Sequence, residues 1–340
     1  MGWLDMAYKS KLSKEEETRL ARENVAKSFA RVNADVFSIF DKDSMPSFLA
    51  LLARFHYFDI YNLILIFKQR PDATYLAPYK SWERMSINYW HDPARLVFAS
   101  QQDRKGLGIL APYILKRKIP NALNLRSAAP SSRPVPYLDY HIVYLLDKKQ
   151  MNGIPVPVCS WDVTHNQFDA EAAYHAFRET APFYVSCSHE NNFKGNFVFQ
   201  EGTESGKEED YLVVNGKYRL DHVALCTFIV RPYVVQSLKK MKTKYTPDEI
   251  EKLAECVSFV VSTYLGLPTE DYSFFFVRMW ASGPQRMLEI LNAIRQTAHR
   301  LIDELEVSMI EYKAQFGPVE DAFILDEDIQ EFENLTMFDI

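Results

Sequence analysis

The tetrad Thr246-Pro247-Asp248-Glu249 constrains this chain more than any other short stretch. A threonine able to cap, a proline at the first helical position and a glutamate at the third together start a helix, because proline needs no N–H partner there and the glutamate can satisfy the cap. The spacing predicts a helix over 247–265, closed by Gly266 ahead of Pro268. A last helix is predicted over 284–313, where Leu288, Leu291, Ile294, Ala298, Leu301, Leu305 and Met309 recur at helical period. A stripe of that kind has to be buried, so helices must supply core in the second half.

The first half mixes two periods. Ser13-Lys14-Glu15-Glu16 reads as a capping box for an amphipathic helix over about 14–40. A second helical region restarts at Ser44–Pro46 and runs to Arg70-Pro71-Asp72. Short β-rich stretches follow at Tyr75–Tyr79, Leu96–Ala99, Gly108–Leu110 and Tyr140–Leu146, and residues 120–137, rich in Pro and Ser, read as a loop. Beyond about 150 the pattern predicts a helix over 169–181 and strands at 195–199 and 211–214. Leu220–Leu238 is ambiguous, apolar but interrupted at Pro232. The expectation is an α+β chain of two domains, 1–155 with helices packed on a small sheet and 156–317, followed by an acidic flexible tail over 318–340.

Charge separates the two halves. The net value of −6 comprises +8 over residues 1–150 and −14 over residues 151–340, so only the first half suits a polyanion. No apolar run is long enough to span a bilayer and no secretory leader is readable, which points to a cytoplasmic protein without a membrane partner. Cys159, Cys187, Cys226 and Cys256 form no C-x-x-C pair and sit among apolar neighbours, as buried free thiols do.

Several motifs occur in the order of a known family. Asn62-Leu63-Ile64-Leu65-Ile66, Gln69-Arg70-Pro71-Asp72-Ala73-Thr74, Tyr79 and Trp82 come first. Gly106, Gly108-Ile109-Leu110 and Ala111-Pro112 follow, then Leu146-Asp147, Gln150, Gly153 and Pro155, then Lys194-Gly195 and Gly216. Ala254-Glu255, Val257, Phe259-Val260-Val261, Gly266-Leu267, Asp271-Tyr272-Ser273-Phe274 and Trp280 complete the series. In this order they resemble the ArdC/LtrC antirestriction family. The resemblance implies an N-terminal domain that binds single-stranded DNA, a zincin-like C-terminal metallopeptidase fold, and protection of a mobile element or phage genome from restriction.

The family's zinc motif is missing. His-Glu-x-x-His places two imidazoles on one helix face beside a general base, and no such string occurs. At family spacing from Gly216 its place is taken by Phe228-Ile229-Val230-Arg231-Pro232; shifting the alignment gives Asp221-His222-Val223-Ala224-Leu225, no better as a ligand set. The downstream ligand glutamate has a counterpart in Glu251, and one carboxylate cannot hold catalytic zinc. The expectation is a degenerate metallopeptidase without catalytic residues, metal or cofactor. His189-Glu190 starts a similar string that Phe193 ends, Cys187 and His189 lack an orienting third group, and the eight histidines show no pair four apart.

For single-stranded DNA the useful groups are cations for phosphates and aromatic faces for bases. The candidates are Lys68, Arg70, Tyr79, Lys80, Trp82, Arg84, Arg104, Lys105, Lys116, Arg117 and Lys118, with Trp82 equally readable as core. In the tail, Asn334-Leu335-Thr336-Met337-Phe338 resembles the peptide that docks on bacterial sliding clamps, with Leu335, Met337 and Phe338 as pocket fillers and Asn334 where glutamine is usual. Two rival readings stand beside DNA binding: an interaction module or DNA mimic whose acidic second half engages a host replication or defence protein, and a metallopeptidase with an unorthodox site.

Overall fold

A computed structural model describes residues 13–90, 97–98, 104–118, 134–152, 169–189, 193–202, 209–240, 245–280 and 283–316. Mixed helices and small sheets make it an α+β chain, and its contacts divide it into two compact units. One unit contains the described parts of 13–33 and 75–152; the other contains 34–74 and the described residues from 169 to 316. The division is therefore discontinuous in sequence. Residues 34–74 group with the C-terminal helices because helix α2 (Ser44–Arg54) packs on α7 (Pro247–Tyr264), while α3 (Ile60–Gln69) packs on α9 (Pro284–Phe316).

The first unit begins with α1 (Lys14–Asp35), started by the expected Ser13/Glu16 reciprocal cap. Its sheet has the order β1-β4-β3, where β1 is Leu76–Pro78, β3 is Leu107–Lys118 and β4 is Pro134–Asp147. β3 and β4 form a long antiparallel ladder from Leu107↔Leu145 to Lys118↔Pro134, far longer than the sequence pattern suggested. Residues 134–137, read above as loop, are strand. A separate short ladder joins β2 (Val97–Phe98) to β5 (Met151–Asn152). Helix α4 (Tyr79–Trp90) follows β1 directly, and Phe29 of α1 meets Tyr140 of β4 edge to face.

Several of the family-like motif residues have structural duties here. Asp147 and Gln150 are buried and close a reciprocal cap: the Asp147 carboxylate accepts the Lys149 N–H, and the Gln150 side-chain oxygen accepts the Asp147 N–H. The Gln150 amide then donates to the Lys105 carbonyl, fastening the end of β4 to the entry of β3. At Gly106 a Cβ would lie 3.0 Å from the Tyr144 Cβ and 3.1 Å from the Leu145 oxygen, so a side chain there would push the two strands apart.

The second unit is a helical layer with a three-stranded sheet of order β6-β8-β7, where β6 is Tyr184–Cys187, β7 is Phe197–Gln200 and β8 is Tyr211–Val214. β8 pairs parallel with β6 and antiparallel with β7. α7 is central: α2, α6 (His222–Lys240) and α9 all pack on it, and Leu253 through Tyr264 are buried except at Glu255 and Thr263. The expected cap is present, with Thr246 accepting the Glu249 N–H and Glu249 accepting the Thr246 N–H. Gly266 ends the helix at φ +69°, a left-handed conformation that a Cβ disfavours.

Two helical stretches also differ from their sequence expectation. Residues 44–69 split into α2 and α3 because Asp59 caps a new helix, accepting the Asn62 N–H and the Asn62 side-chain amide. α6 runs through Pro232. Proline forfeits the bond to the carbonyl four residues back, but Phe228 and Pro232 both lie on the half-buried side of α6, where releasing one carbonyl costs less than in the core. Among the described residues, no helix is long and apolar enough to cross a membrane.

Candidate functional site

The DNA-binding candidates fall in both units. Lys68 and Arg70 stand at the end of α3 in the second unit, both half-buried. Trp82 is a correction. It is fully buried, its indole N–H donates to the Leu146 carbonyl at 3.0 Å, and Tyr75 meets its ring edge-on. An indole with no exposed face cannot stack on a base; Trp82 locks α4 to β4 instead.

Tyr79, Lys80, Arg84, Arg104 and Lys105 lie on or beside α4 in the first unit. Tyr79, at the start of α4, stacks on Phe98 of β2 with ring centroids 6.3 Å apart and planes 13° apart. The Arg104 guanidinium lies over the same phenylalanine, 5.9 Å from its centroid. A tyrosine, a phenylalanine and a guanidinium thus form a half-buried row that ends in an exposed cation. Burial and the neighbouring Glu83 carboxylate raise the Tyr79 phenol above its usual pKa, so its hydroxyl stays neutral.

Lys80 and Arg84 are exposed one helical turn apart on α4, and Lys105 is exposed beside Arg104. Sequence reasoning read Leu96–Ala99 as a strand but missed Phe98 as a site residue, because its partners Tyr79 and Arg104 come from other elements. Lys116, Arg117 and Lys118 lie in β3 opposite Pro136, Val135 and Pro134, and their side chains fall outside the described residues.

In the second unit, an arginine links the two helices on which the family's zinc motif and downstream glutamate would fall. Arg231 of α6 reaches across to α7, with one guanidinium nitrogen on Glu251 at 2.8 Å and the other on Glu255. Glu255 also accepts the Ser273 N–H at 3.0 Å, so the ion cluster fastens the 271–274 segment to α7. Tyr272 adds a hydroxyl contact to Ser262 at 2.9 Å. At the two positions where imidazoles would be needed, Phe228 packs against Phe197 and Tyr218, and Pro232 has no donor atom. Glu251, the expected remnant, is the carboxylate of an ion pair.

The other sequence candidates resolve in the same unit. The His189 ring is engaged by Arg219 at 2.8 Å, and burial raises the Cys187 thiol above its usual pKa, the reverse of what a nucleophile needs. Cys226, pushed up to about 12, and fully buried Cys256 are free thiols of the core; Cys159 lies outside the described residues. Two of the histidines, scattered along the sequence, meet: His56 and His299, 243 residues apart, lie ring to ring beside Asp303. A search for spacing within one helix cannot see such a pair, because tertiary packing makes it. The tail candidates Leu335, Met337 and Phe338 lie outside the described residues.

No family model and no curated protein matches the sequence. Among solved structures, the chain is similar to the metal-free crystal structure of the antirestriction protein ArdC from the R388 plasmid, with 12% identity and a TM-score of 0.43. The Mn(II)-bound structure of the same protein gives 13% identity and a TM-score of 0.41. Each comparison covers 75% of this chain and 86% of the other. Both structures carry the name of the family that the motifs resemble; at these scores the likeness defines neither fold nor activity.

Proposed function

We propose that the chain is an ArdC-like accessory DNA-binding protein that grips single-stranded DNA on the α4 side of its first unit. The observation that carries the reading is the Tyr79–Phe98–Arg104 row flanked by exposed Lys80, Arg84 and Lys105. Stacking serves any base and the cations serve the phosphates, so the expected binding is sequence-tolerant and salt-sensitive. Protection of incoming DNA from restriction, as the motif resemblance implies, is the role such binding serves.

In the same reading the second unit is a degenerate zincin-like domain without peptidase activity. Arg231 supplies to Glu251 the positive charge that a metal would otherwise supply. The experiment is binding of a fluorescent oligothymidylate to the full chain at several salt concentrations, with a peptidase assay alongside. Affinity that falls with salt and no chelator-sensitive peptidase activity support the reading; no binding at low salt overturns it. The acidic stretch ending in Leu335-Thr336-Met337-Phe338 adds a further proposal, a weak contact with a host replication protein, the sliding clamp being the first to test.

A further inference from the structure

We propose that His56, His299 and Asp303 bind one divalent first-row transition-metal ion, at a place distinct from the Arg231–Glu251 position on α6 and α7. The three donor atoms lie within 4.8 Å of one another. His56 Nδ1 is 2.9 Å from His299 Nδ1, and His299 Nδ1 is 3.2 Å from the nearer Asp303 oxygen. His299 and Asp303 stand four apart on α9, one above the other, and His56 comes from the turn between α2 and α3.

Hydrogen bonding alone leaves this arrangement over-subscribed. An imidazole nitrogen offers a single in-plane site, either a proton or a lone pair. His299 Nδ1 has two neighbours on it, an imidazole nitrogen and a carboxylate oxygen. One proton cannot make two good hydrogen bonds, whereas one cation between the three groups can take a lone pair from each. His56 is suited to that role: its ring is buried and its Nδ1 faces His299 Nδ1.

The donor set narrows the ion. Two ligands about 2.1 Å from a metal lie about 3.0 Å apart at a right angle and about 3.4 Å apart at a tetrahedral angle. Separations of 2.9 and 3.2 Å fall at the first value and midway between the two, so both pairs fit a single ion. Two imidazoles and one carboxylate select cobalt, nickel, iron, manganese or zinc over magnesium and calcium, which prefer oxygen. The ring edges of Tyr57 and Tyr264 wall His56, at centroid distances of 5.8 and 5.4 Å. One charge opposes the ion: Arg295, whose Nη1 lies 3.5 Å from the His56 carbonyl and whose charge Asp59 offsets. Bound metal would tie the α2–α3 turn to α9 and stabilise the native unit alone, since the unfolded chain separates the ligands.

The test uses the untagged full chain, stripped with chelator and titrated with Co2+ by calorimetry and visible absorption, with Mg2+ as the control. One Co2+ per chain, with a changed visible spectrum of the ion and a raised melting temperature, is expected; Mg2+ should neither bind nor raise the melting temperature. Asp303→Asn and His299→Ala should each weaken binding by about tenfold or more, and Glu251→Gln should leave it unchanged. Asp303 is half exposed, so its variant keeps the fold and decides the matter even if His299→Ala does not fold. No Co2+ binding by the parent chain, or unaltered binding in Asp303→Asn, overturns the proposal. Binding lost in Glu251→Gln alone would overturn it too, and would return the metal to α6 and α7.

Discussion

The α4 face of the first unit and the α6–α7 pair of the second use similar residues to opposite ends. On α4, Lys80 and Arg84 are exposed and make no ion pair among the described residues. On α6, Arg231 is held by two carboxylates, and elsewhere in that unit Arg286 pairs with Glu249 and Arg278 with Asp41. A cation already matched inside the molecule has little left to offer a phosphate, whereas an unmatched one releases counterions when DNA arrives. The partner of each basic residue therefore separates a binding face from a structural clamp, which a count of charges along the chain does not.

The sharpest way to break that contrast is at Trp82. Trp82→Ala should destabilise the first unit by about 3–5 kcal/mol, because a full indole and its hydrogen bond leave the core. Thermal unfolding followed by near-ultraviolet circular dichroism reads this. A variant that keeps the parent melting temperature but loses DNA binding would put Trp82 back on the binding face.

The α4 residues should behave in the opposite way. Tyr79→Ala is expected to cost about 1–3 kcal/mol of oligonucleotide affinity, measured by fluorescence anisotropy. Lys80→Gln with Arg84→Gln should flatten the salt dependence, lowering the magnitude of the log–log slope by about 1.4. An unchanged slope means these cations meet no phosphate.

Arg231→Ala should cost the second unit about 1 kcal/mol or less, since the guanidinium is well exposed and only Glu255 is substantially covered. Urea unfolding measures it, and DNA affinity should not move. The smallest effect is expected from removing residues 318–340: oligonucleotide affinity should be unchanged. A peptide of residues 328–340 should bind purified clamp more tightly than its Leu335→Ala/Phe338→Ala double variant, and equal titrations would remove that proposal.

Elements started by local chemistry were readable from sequence. The Thr246/Glu249 cap, the Ser13/Glu16 cap and the stripe of α9 all appear where spacing placed them. Elements set by partners were not. β3 and β4 extend through Lys116–Lys118 and Pro134–Pro136 because each backbone pairs with the other, while a charged run and two prolines read alone as turn or loop. The break between α2 and α3 contains neither Gly nor Pro; it rests on Asp59 and its bonds to Asn62.

The candidate site divides along the same line. The family-like motifs drew attention to Asn62, Trp82, Gly106, Asp147 and Gln150, which prove to hold caps, strands and helices in place. Phe98, Arg231 and the His56–His299 pair take their roles only from neighbours supplied by distant chain. Spacing records what one element presents; it does not record what another element brings to it.

The most direct test of the contrast is a single set of titrations with a fluorescent oligothymidylate at low salt. The parent chain, Lys80→Glu/Arg84→Glu and Arg231→Glu would be compared, each checked for folding by circular dichroism. Both changes move the charge in the same direction on the same molecule. The expected result is a loss of affinity of about tenfold or more in the α4 variant, with Arg231→Glu binding as the parent does. Equal losses in both variants, or none in the α4 variant, would contradict the assignment of DNA binding to the first unit's unmatched cations.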